Sequence, residues 1–150
     1  MRVSLNALLF TGFLGDLRLG MTKNEVQALL GEPDYWGGGS RRYKEPNIWV
    51  YGTVELYFND ERPRRFTGWL WEAWDKGAFG LGRQAEVADW AFEPGMAFHA
   101  VQEYLNERDL PMRYSEEDYG RAEHLTPLWV NDVTISFMEN RLASVSVYWV

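Results

Sequence analysis

The chain has 150 residues, no cysteine and a formal net charge of −7. A chain of this length buries most of its apolar surface in one domain, and its acidity argues against a nucleic-acid-binding protein, which carries a basic surface. The absence of cysteine excludes disulfides and thiolate catalysis. Aromatic residues make up 16% of the chain, more than a core of this size needs, so we expect some of them in a contact surface.

The first segment, residues 1–15, contains a short apolar run at residues 7–10. One basic residue precedes the run, polar residues and a glycine flank it, and no small-residue cleavage site follows, so we do not interpret it as a signal peptide. It is also too short to span a bilayer. We predict a strand or packing segment, in a cytoplasmic protein that does not contact a membrane.

The first helix is predicted to begin after Thr22, whose hydroxyl can cap the free backbone N–H groups of the first turn. Glu25, three residues later, completes the pattern of a capping box. Gly31 and Pro33 predict the end of the helix, because glycine favours the C-terminal cap and proline cannot continue the helix.

The rest of the first half is predicted to be a loop, three strands and a linker. Residues 36–40 are rich in glycine and are expected to form the loop. Strands follow at 48–51, 54–59 and 64–71, each separated by turn-forming residues. Residues 72–84 contain three further glycines and are interpreted as the linker between the halves of the chain.

The second half is predicted to contain the same elements in the same order. A helix begins near Gly95 and ends before Pro111, and a longer polar stretch follows it. Strands are expected at 128–130, 133–138 and 142–150, joined by two-residue turns.

The two halves also share short sequence patterns, which predict an internal duplication. The pair Gly20-Met21 recurs as Gly95-Met96, and the strand pattern of residues 54–58 recurs at 133–137, with Arg62 matching Arg141. We therefore predict an α+β fold in which two helix-plus-antiparallel-hairpin repeats form one continuous antiparallel sheet with helices on one face. The boundaries are 1–75 for the first repeat, 76–89 for the linker and 90–150 for the second repeat.

Alternation along the strands predicts which side chains face the helices. Val54, Leu56 and Phe58 are expected in the core, together with Phe66, Gly68 and Leu70 on the third strand. Trp69 and Trp71 are then expected on the opposite face, where exposed aromatic side chains mark a binding surface. The candidate partner-binding residues are Trp49, Tyr51, Glu55, Tyr57, Trp69, Trp71 and Tyr148.

Three interpretations of this aromatic face remain open. It can bind a protein partner, it can be buried in a homodimer, or the linker at residues 73–81 can cover it within the molecule. We favour the first interpretation.

The residues that carry metal or phosphate chemistry do not form a recognisable motif. His99 and His124 lack a second ligand at metal-binding spacing. The glycines at 37–39, followed by Arg41 and Arg42, lack the ending of a phosphate-binding loop. We therefore predict no metal ion, no cofactor and no catalytic residue.

The acidic residues have a second interpretation besides solvation of the surface. Residues 116–118 form an acidic run, and Glu72 lies close in sequence to Asp75. Catalytic carboxylates require an enclosing pocket that separates their pKa values. On a surface loop such as 115–123, carboxylates can instead attract a basic protein partner and raise the rate of association.

The pattern of residues 19–33, Leu-Gly-Met-Thr-x-x-Glu-Val-x-x-Leu-Leu-Gly-x-Pro, followed by a hairpin with Val54-x-Leu-x-Phe58, resembles the small outer-membrane-assembly lipoprotein domain. That domain is similar in fold to one repeat of the β-lactamase-inhibitor protein family. In that family two repeats form one concave sheet with helices behind it, and aromatic residues of the sheet bind the target enzyme. Some bacterial immunity proteins, which neutralise toxins by binding them, are also similar to this half-domain.

The resemblance implies a non-catalytic protein-binding module of inhibitory or immunity type, with a protein partner such as a basic toxin or an enzyme. The alternative is an oligomerising, envelope-assembly-like scaffold with the aromatic face buried in a homodimer. A third hypothesis, an enzyme or small-molecule carrier, requires a deep pocket with convergent polar groups.

Overall fold

An eight-stranded antiparallel sheet dominates the computed structural model, which describes residues 1–37, 45–115 and 125–148. The strands are β1 (Arg2–Ser4), β2 (Tyr35–Gly37), β3 (Ile48–Tyr51), β4 (Val54–Phe58), β5 (Phe66–Trp71), β6 (Glu86–Ala88), β7 (Arg113–Tyr114), β8 (Thr126–Val130), β9 (Val133–Met138) and β10 (Arg141–Tyr148). The helices are α1 (Leu5–Thr11), α2 (Lys23–Leu30), α3 (Ala73–Lys76) and α4 (Phe98–Glu107).

The strand order of the sheet is β2-β3-β4-β5-β10-β9-β8-β7. The third strand of each half, β5 or β10, therefore lies in the centre, and these two strands pair with each other in antiparallel orientation. The predicted α+β class and the continuous antiparallel sheet are confirmed.

One face of the sheet, which we call the core face, packs against the helices. Its central side chains, such as Leu56 on β4 and Ile135 on β9, are fully buried. All four helices contribute buried residues to the same hydrophobic core. The opposite side of the sheet is called the second face below.

Helix α2 begins and ends as its sequence predicts. Thr22 accepts a hydrogen bond from the backbone N–H of Glu25, and the Glu25 carboxylate accepts one from the backbone N–H of Thr22. Gly31 ends the helix with φ of 74°, a left-handed region that glycine occupies without a steric penalty. Helix α4 begins at Phe98, and the preceding N-cap residue, Ala97, makes no side-chain hydrogen bond to the first turn.

The N-terminal segment forms more structure than the predicted strand or packing segment. Residues of β1 pair in parallel with β6 of the linker region, and α1 follows directly, with Leu5, Leu8 and Leu9 fully buried. Their i, i+3, i+4 spacing is typical of one helix face. The backbone oxygen of Leu9 accepts a hydrogen bond of 2.9 Å from the Asn131 side chain, which joins this segment to the second half.

Two predicted irregular segments contain regular structure. Residues 36–40 were predicted to be a loop, but Trp36 and Gly37 belong to β2, which pairs with β3 at the sheet edge. Residues 38–40 lie outside the described residues. The predicted linker at 72–84 contains the short helix α3, which packs against β10.

Each hairpin contacts the segment before its helix through the same backbone groups. In the first half, the N–H of Gly20 donates to the carbonyl of Phe66 at 2.9 Å. In the second half, the N–H of Gly95 donates to the carbonyl of Leu142 at 3.1 Å. The Gly-Met pairs in the sequence therefore mark a contact that both halves make.

An arginine side chain supports this contact in both halves. Arg65 donates to the carbonyl of Gly20 at 3.1 Å, and Arg141 donates to the carbonyl of Gly95 at 3.4 Å. The sequence match paired Arg141 with Arg62. In the structure, the residue that makes the same contact as Arg141 is Arg65. Arg62 is exposed in the turn between β4 and β5.

A β-bulge interrupts the pairing of β4 with β5. Phe58 pairs with Phe66, but its neighbour Tyr57 pairs with Gly68, so Thr67 has no partner across the strand. A bulge places one extra residue in one strand, and the residues beyond it change faces relative to simple alternation.

The second hairpin has a bulge at the corresponding place. Phe137 pairs with Leu142, whereas Ser136 pairs with Ser144, which leaves Ala143 as the extra residue of β10. In both hairpins, the alternation of side chains between the two faces is therefore reversed one residue after Phe66 or Leu142, whose carbonyl contacts the segment before the helix.

The helices of the described ranges include none that is long and apolar enough to cross a membrane.

Candidate functional site

Trp69 and Trp71 lie on the core face, so the prediction that they face outward is wrong. Both side chains are 0% exposed. Trp69 pairs with Leu56 and Trp71 pairs with Val54, which are core residues of β4. The reason is the bulge at Thr67, which reverses the alternation that was extrapolated from Phe66.

Trp71 is covered within the molecule, as one of the three interpretations proposed. Its indole N–H donates to the carbonyl of Gly77 at 2.8 Å. The rings of Phe79 and Trp90 each lie 5.7 Å from the Trp71 ring between centroids, in edge-to-face geometry. Gly77 and Phe79 of the linker, together with Trp90 of the second half, therefore cover this aromatic residue on the core face.

Tyr51 and Trp49 also point to the core face. The Tyr51 side chain is 2% exposed, and its hydroxyl donates to the carbonyl of Gly31 at 2.8 Å. Burial raises its pKa. Trp49 is half-buried and contacts Phe58 with ring centroids 5.1 Å apart. Neither residue is placed to bind a partner on the second face.

Trp49 lines a cleft of about 440 Å³ between α2 and the β2–β3 edge. Trp36, which is 61% exposed, stands at its rim, and Lys23 contributes a cation. The Lys23 ammonium is already paired with the carboxylate of Glu45 at 3.0 Å.

The second face carries one row of side chains that crosses all eight strands of the large sheet. Neighbours in the row are directly paired residues of adjacent strands. From β2 to β7 the row consists of Tyr35, Val50, Glu55, Leu70, Ser146, Thr134, Trp129 and Arg113. Three of the seven candidate residues, Glu55, Tyr57 and Tyr148, lie on this face.

Tyr57 and Tyr148 meet on the second face across the central strand β5. Both residues pair with Gly68, which lies between them. Because Gly68 has no side chain, the two rings approach to 5.5 Å between centroids, and Tyr148 remains 54% exposed.

Glu55 connects this ring pair to an acidic region. The hydroxyl of Tyr57 donates a hydrogen bond to the Glu55 carboxylate. Burial, and then this hydrogen bond, raise the pKa of Tyr57. Burial and the negative charges of Glu55 and Glu72 raise the pKa of Tyr148.

Glu72 is the second carboxylate of the region. Partial burial raises its pKa first, and the charges of Glu55 and Asp75 raise it further. Lys76 opposes this effect, but its ammonium pairs with Asp75 at 3.4 Å. We call Glu55, Tyr57, Glu72 and Tyr148 the acidic corner.

The middle of the second face is formed by small hydroxyl side chains. Ser144 pairs with Ser136, and Ser146 pairs with Thr134, which gives a block of four hydroxyls on β9 and β10. The three serines are between 6% and 9% exposed. Ser144, Ser146 and Tyr148 share the second face, while Val145 and Val147 are in the core.

Sequence reasoning missed Leu70 and Trp129 on this face and the proximity of Glu72 to Glu55. Leu70 was predicted to be in the core, but it pairs with Ser146 on the second face because of the bulge. Trp129 pairs with Thr134, and the guanidinium of Arg113 lies 5.7 Å from its ring centroid. The glycine at position 68 was the available signal, since glycine inside a strand often marks a bulge.

Several predicted features fall outside the described residues. These are Gly38, Gly39, Arg41, Arg42, the acidic run at 116–118 with most of the loop 115–123, His124 and the end of the strand 142–150. His99, on α4, is exposed. Among the described residues no group of three or more histidine or acidic side chains could hold a metal ion.

No family model and no curated protein matches the chain. Its structure is similar to the crystal structure of an extracellular protein containing an SCP domain from Bacillus anthracis str. Ames, with a TM-score of 0.46 and 14% sequence identity. The match covers 87% of this chain and 44% of that protein, so this chain spans less than half of its length.

Proposed function

We propose that the chain is a non-catalytic protein-binding module of inhibitory or immunity type and that the second face of its sheet is the binding surface. The observation that supports this most directly is the aromatic and acidic content of that face around Tyr148. Tyrosine is one of the residues that contribute most binding energy in protein interfaces. The carboxylate of Glu55 lies on this face, and Glu72, which directly follows β5, interacts with it electrostatically, so both are suited to contact a partner.

We also propose that the module consists of two copies of one helix-plus-hairpin unit. The support is the correspondence of contacts: the Gly20 and Gly95 hydrogen bonds, the Arg65 and Arg141 hydrogen bonds and the two bulges. The two units differ in the side chains that they contribute to the second face. Tyr57 and Glu55 of the first unit correspond to Ser136 and Thr134 of the second.

The binding surface is tested by capture of a partner from the lysate of the source organism with the immobilised protein, followed by identification and measurement with the purified partner. We expect Tyr148→Ala and Trp129→Ala to reduce the affinity by about tenfold or more each. Trp36→Ala, which removes an exposed aromatic residue that is not on the second face, is the control and should leave the affinity unchanged.

Two outcomes would contradict the proposal. One is a partner whose affinity is insensitive to both second-face variants while they remain folded. The other is a stable homodimer in sedimentation that Tyr148→Ala dissociates, because this result would favour the oligomerising scaffold.

A further inference from the structure

We infer that the acidic corner, Glu55, Tyr57, Glu72 and Tyr148, binds an arginine side chain of a basic protein partner. This inference rests on the proposed function and specifies the chemistry of the partner. It depends on four features: carboxylates without an ion pair among the described residues, an exposed ring, neighbouring small side chains and asymmetry between the halves.

The carboxylates of the corner have no cationic partner in the part of the chain that the structure describes. The ion pairs there involve other acids, and Lys76, which acts electrostatically on Glu55 and Glu72, is paired with Asp75 at 3.4 Å. Glu55 and Glu72 act electrostatically on each other and on Tyr148. The net charge of −7 adds to this negative potential, so an incoming cation relieves a repulsion that already exists.

The tyrosine rings supply the second half of an arginine site. Tyr148 is 54% exposed, and its ring is tilted by 55° from that of Tyr57. A guanidinium group can stack on an aromatic face while its N–H groups donate to neighbouring carboxylates. A lysine ammonium is a compact, strongly hydrated charge that cannot form this planar arrangement, so we expect arginine to be preferred.

The side chains next to the acidic corner are small, so the backbone of a partner can approach the sheet there. Ser144 and Ser146 continue the second face along β10 from Tyr148, and both are more than nine-tenths buried. Neither hydroxyl oxygen is a fully buried unsatisfied atom, and neither donates to or accepts from another described residue, so both can be reached from the second face. Groups of a partner that approach the sheet next to the corner can pair with these hydroxyls.

The other half of the sheet does not reproduce the corner. The positions that correspond to Glu55 and Tyr57 are Thr134 and Ser136, which carry no charge and no ring. We therefore expect one arginine site per chain.

The test measures binding of a hexa-arginine peptide at moderate ionic strength, with hexa-lysine and hexa-citrulline peptides for comparison. Wild-type protein should bind hexa-arginine more tightly than hexa-lysine, and the citrulline peptide, which lacks the charge, should not bind. The double variant Glu55→Gln/Glu72→Gln should weaken binding of hexa-arginine by roughly tenfold or more. The double variant Glu93→Gln/Glu103→Gln, which removes two exposed charges elsewhere, should weaken it less than about twofold.

A further readout locates the peptide. In NMR spectra, hexa-arginine should shift the ring signals of Tyr57 and Tyr148, and Tyr148→Leu should abolish the preference for arginine over lysine. Equal loss of affinity in both double variants, or equal affinity for the arginine and lysine peptides, would overturn the inference. If Trp129→Ala still weakens the natural partner in that case, the proposed function stands without the arginine site.

Discussion

The N-cap position of a helix shows that the structural role of a single residue can be predicted from the sequence. Thr22 and Ala97 occupy the same place before α2 and α4 and have similar backbone angles, with φ of −72° and −65°. Only Thr22 has a side chain that caps the helix. The capping box was predictable because its two partners lie three residues apart in one turn, so no distant contact is needed.

Exchange of these residues gives a matched pair of variants. Thr22→Ala should lower the free energy of unfolding by about 1 kcal/mol, because it leaves a backbone N–H group of the first turn without its acceptor. Ala97→Ser should raise it by about 0.5 kcal/mol, because it supplies the missing acceptor. Urea denaturation followed by circular dichroism measures both. A loss of stability in Ala97→Ser would show that the backbone there cannot use a cap.

Glu72 should make stability depend on pH in a defined direction. Its pKa is higher in the folded protein than in the unfolded chain, mainly through burial and then through the charge of Glu55. The folded state therefore binds the proton more tightly, and stability falls as pH rises from the ordinary glutamate pKa toward the raised one. Glu72→Gln should remove this decrease.

Unfolding of the wild type and of Glu72→Gln in urea at a series of pH values from about 4 to 8 tests this expectation. The stability of the variant relative to the wild type should increase as pH rises through the window. Glu93→Gln serves as the control for loss of an exposed carboxylate. A difference that is constant with pH would contradict the assignment.

At the scale of the elements, the β-bulges determined which side chains could be assigned to the correct face of the sheet from the sequence. Strand β4 follows simple alternation, so the core position of Leu56 was predicted correctly. Strand β5 contains the extra residue Thr67, so the same rule placed Trp69, Trp71 and Leu70 on the wrong faces. A bulge depends on pairing with a neighbouring strand, which periodicity along one strand does not contain.

Removal of the extra residue tests the role of this bulge. Deletion of Thr67 forces either a strained β5 or a strand with both core tryptophans on the second face. We expect the deletion to lower the free energy of unfolding by more than about 3 kcal/mol or to abolish cooperative unfolding. Thr67→Ala keeps the length of the strand and should cost less than about 1 kcal/mol. Equal effects would show that the side chain matters and the bulge does not.

At the scale of the whole molecule, contacts between residues far apart in sequence hold the halves and the linker together. The pairing of β5 with β10 is one of these contacts. A second is an aromatic series, in which Trp90 contacts Trp71 of β5 with centroids 5.7 Å apart and Phe92 contacts Tyr104 of α4 with centroids 5.3 Å apart. A third is the parallel pairing of β1 with β6 of the linker. Sequence patterns predicted the elements of each half but not these contacts, because no local period encodes them.

The aromatic series should make unfolding of the molecule cooperative. Trp90→Ala removes a ring that contacts residues of both halves and should cost about 3 to 5 kcal/mol. Trp74→Ala, at a position that is 68% exposed, should change stability by less than about 0.5 kcal/mol. Urea denaturation by circular dichroism should still show one transition for Trp74→Ala. Separate transitions in the wild type would contradict a single cooperative unit.

The hydrogen bonds between each hairpin and the segment before its helix join backbone atoms of Gly20 to Phe66 and of Gly95 to Leu142, none of which belongs to the row across the second face. Substitutions in the row that crosses the sheet therefore leave these bonds intact. This separation makes the chain a scaffold whose recognition residues can be diversified while its architecture is retained. A library randomised at Tyr148, Trp129 and Thr134 should yield folded variants with new binding specificities.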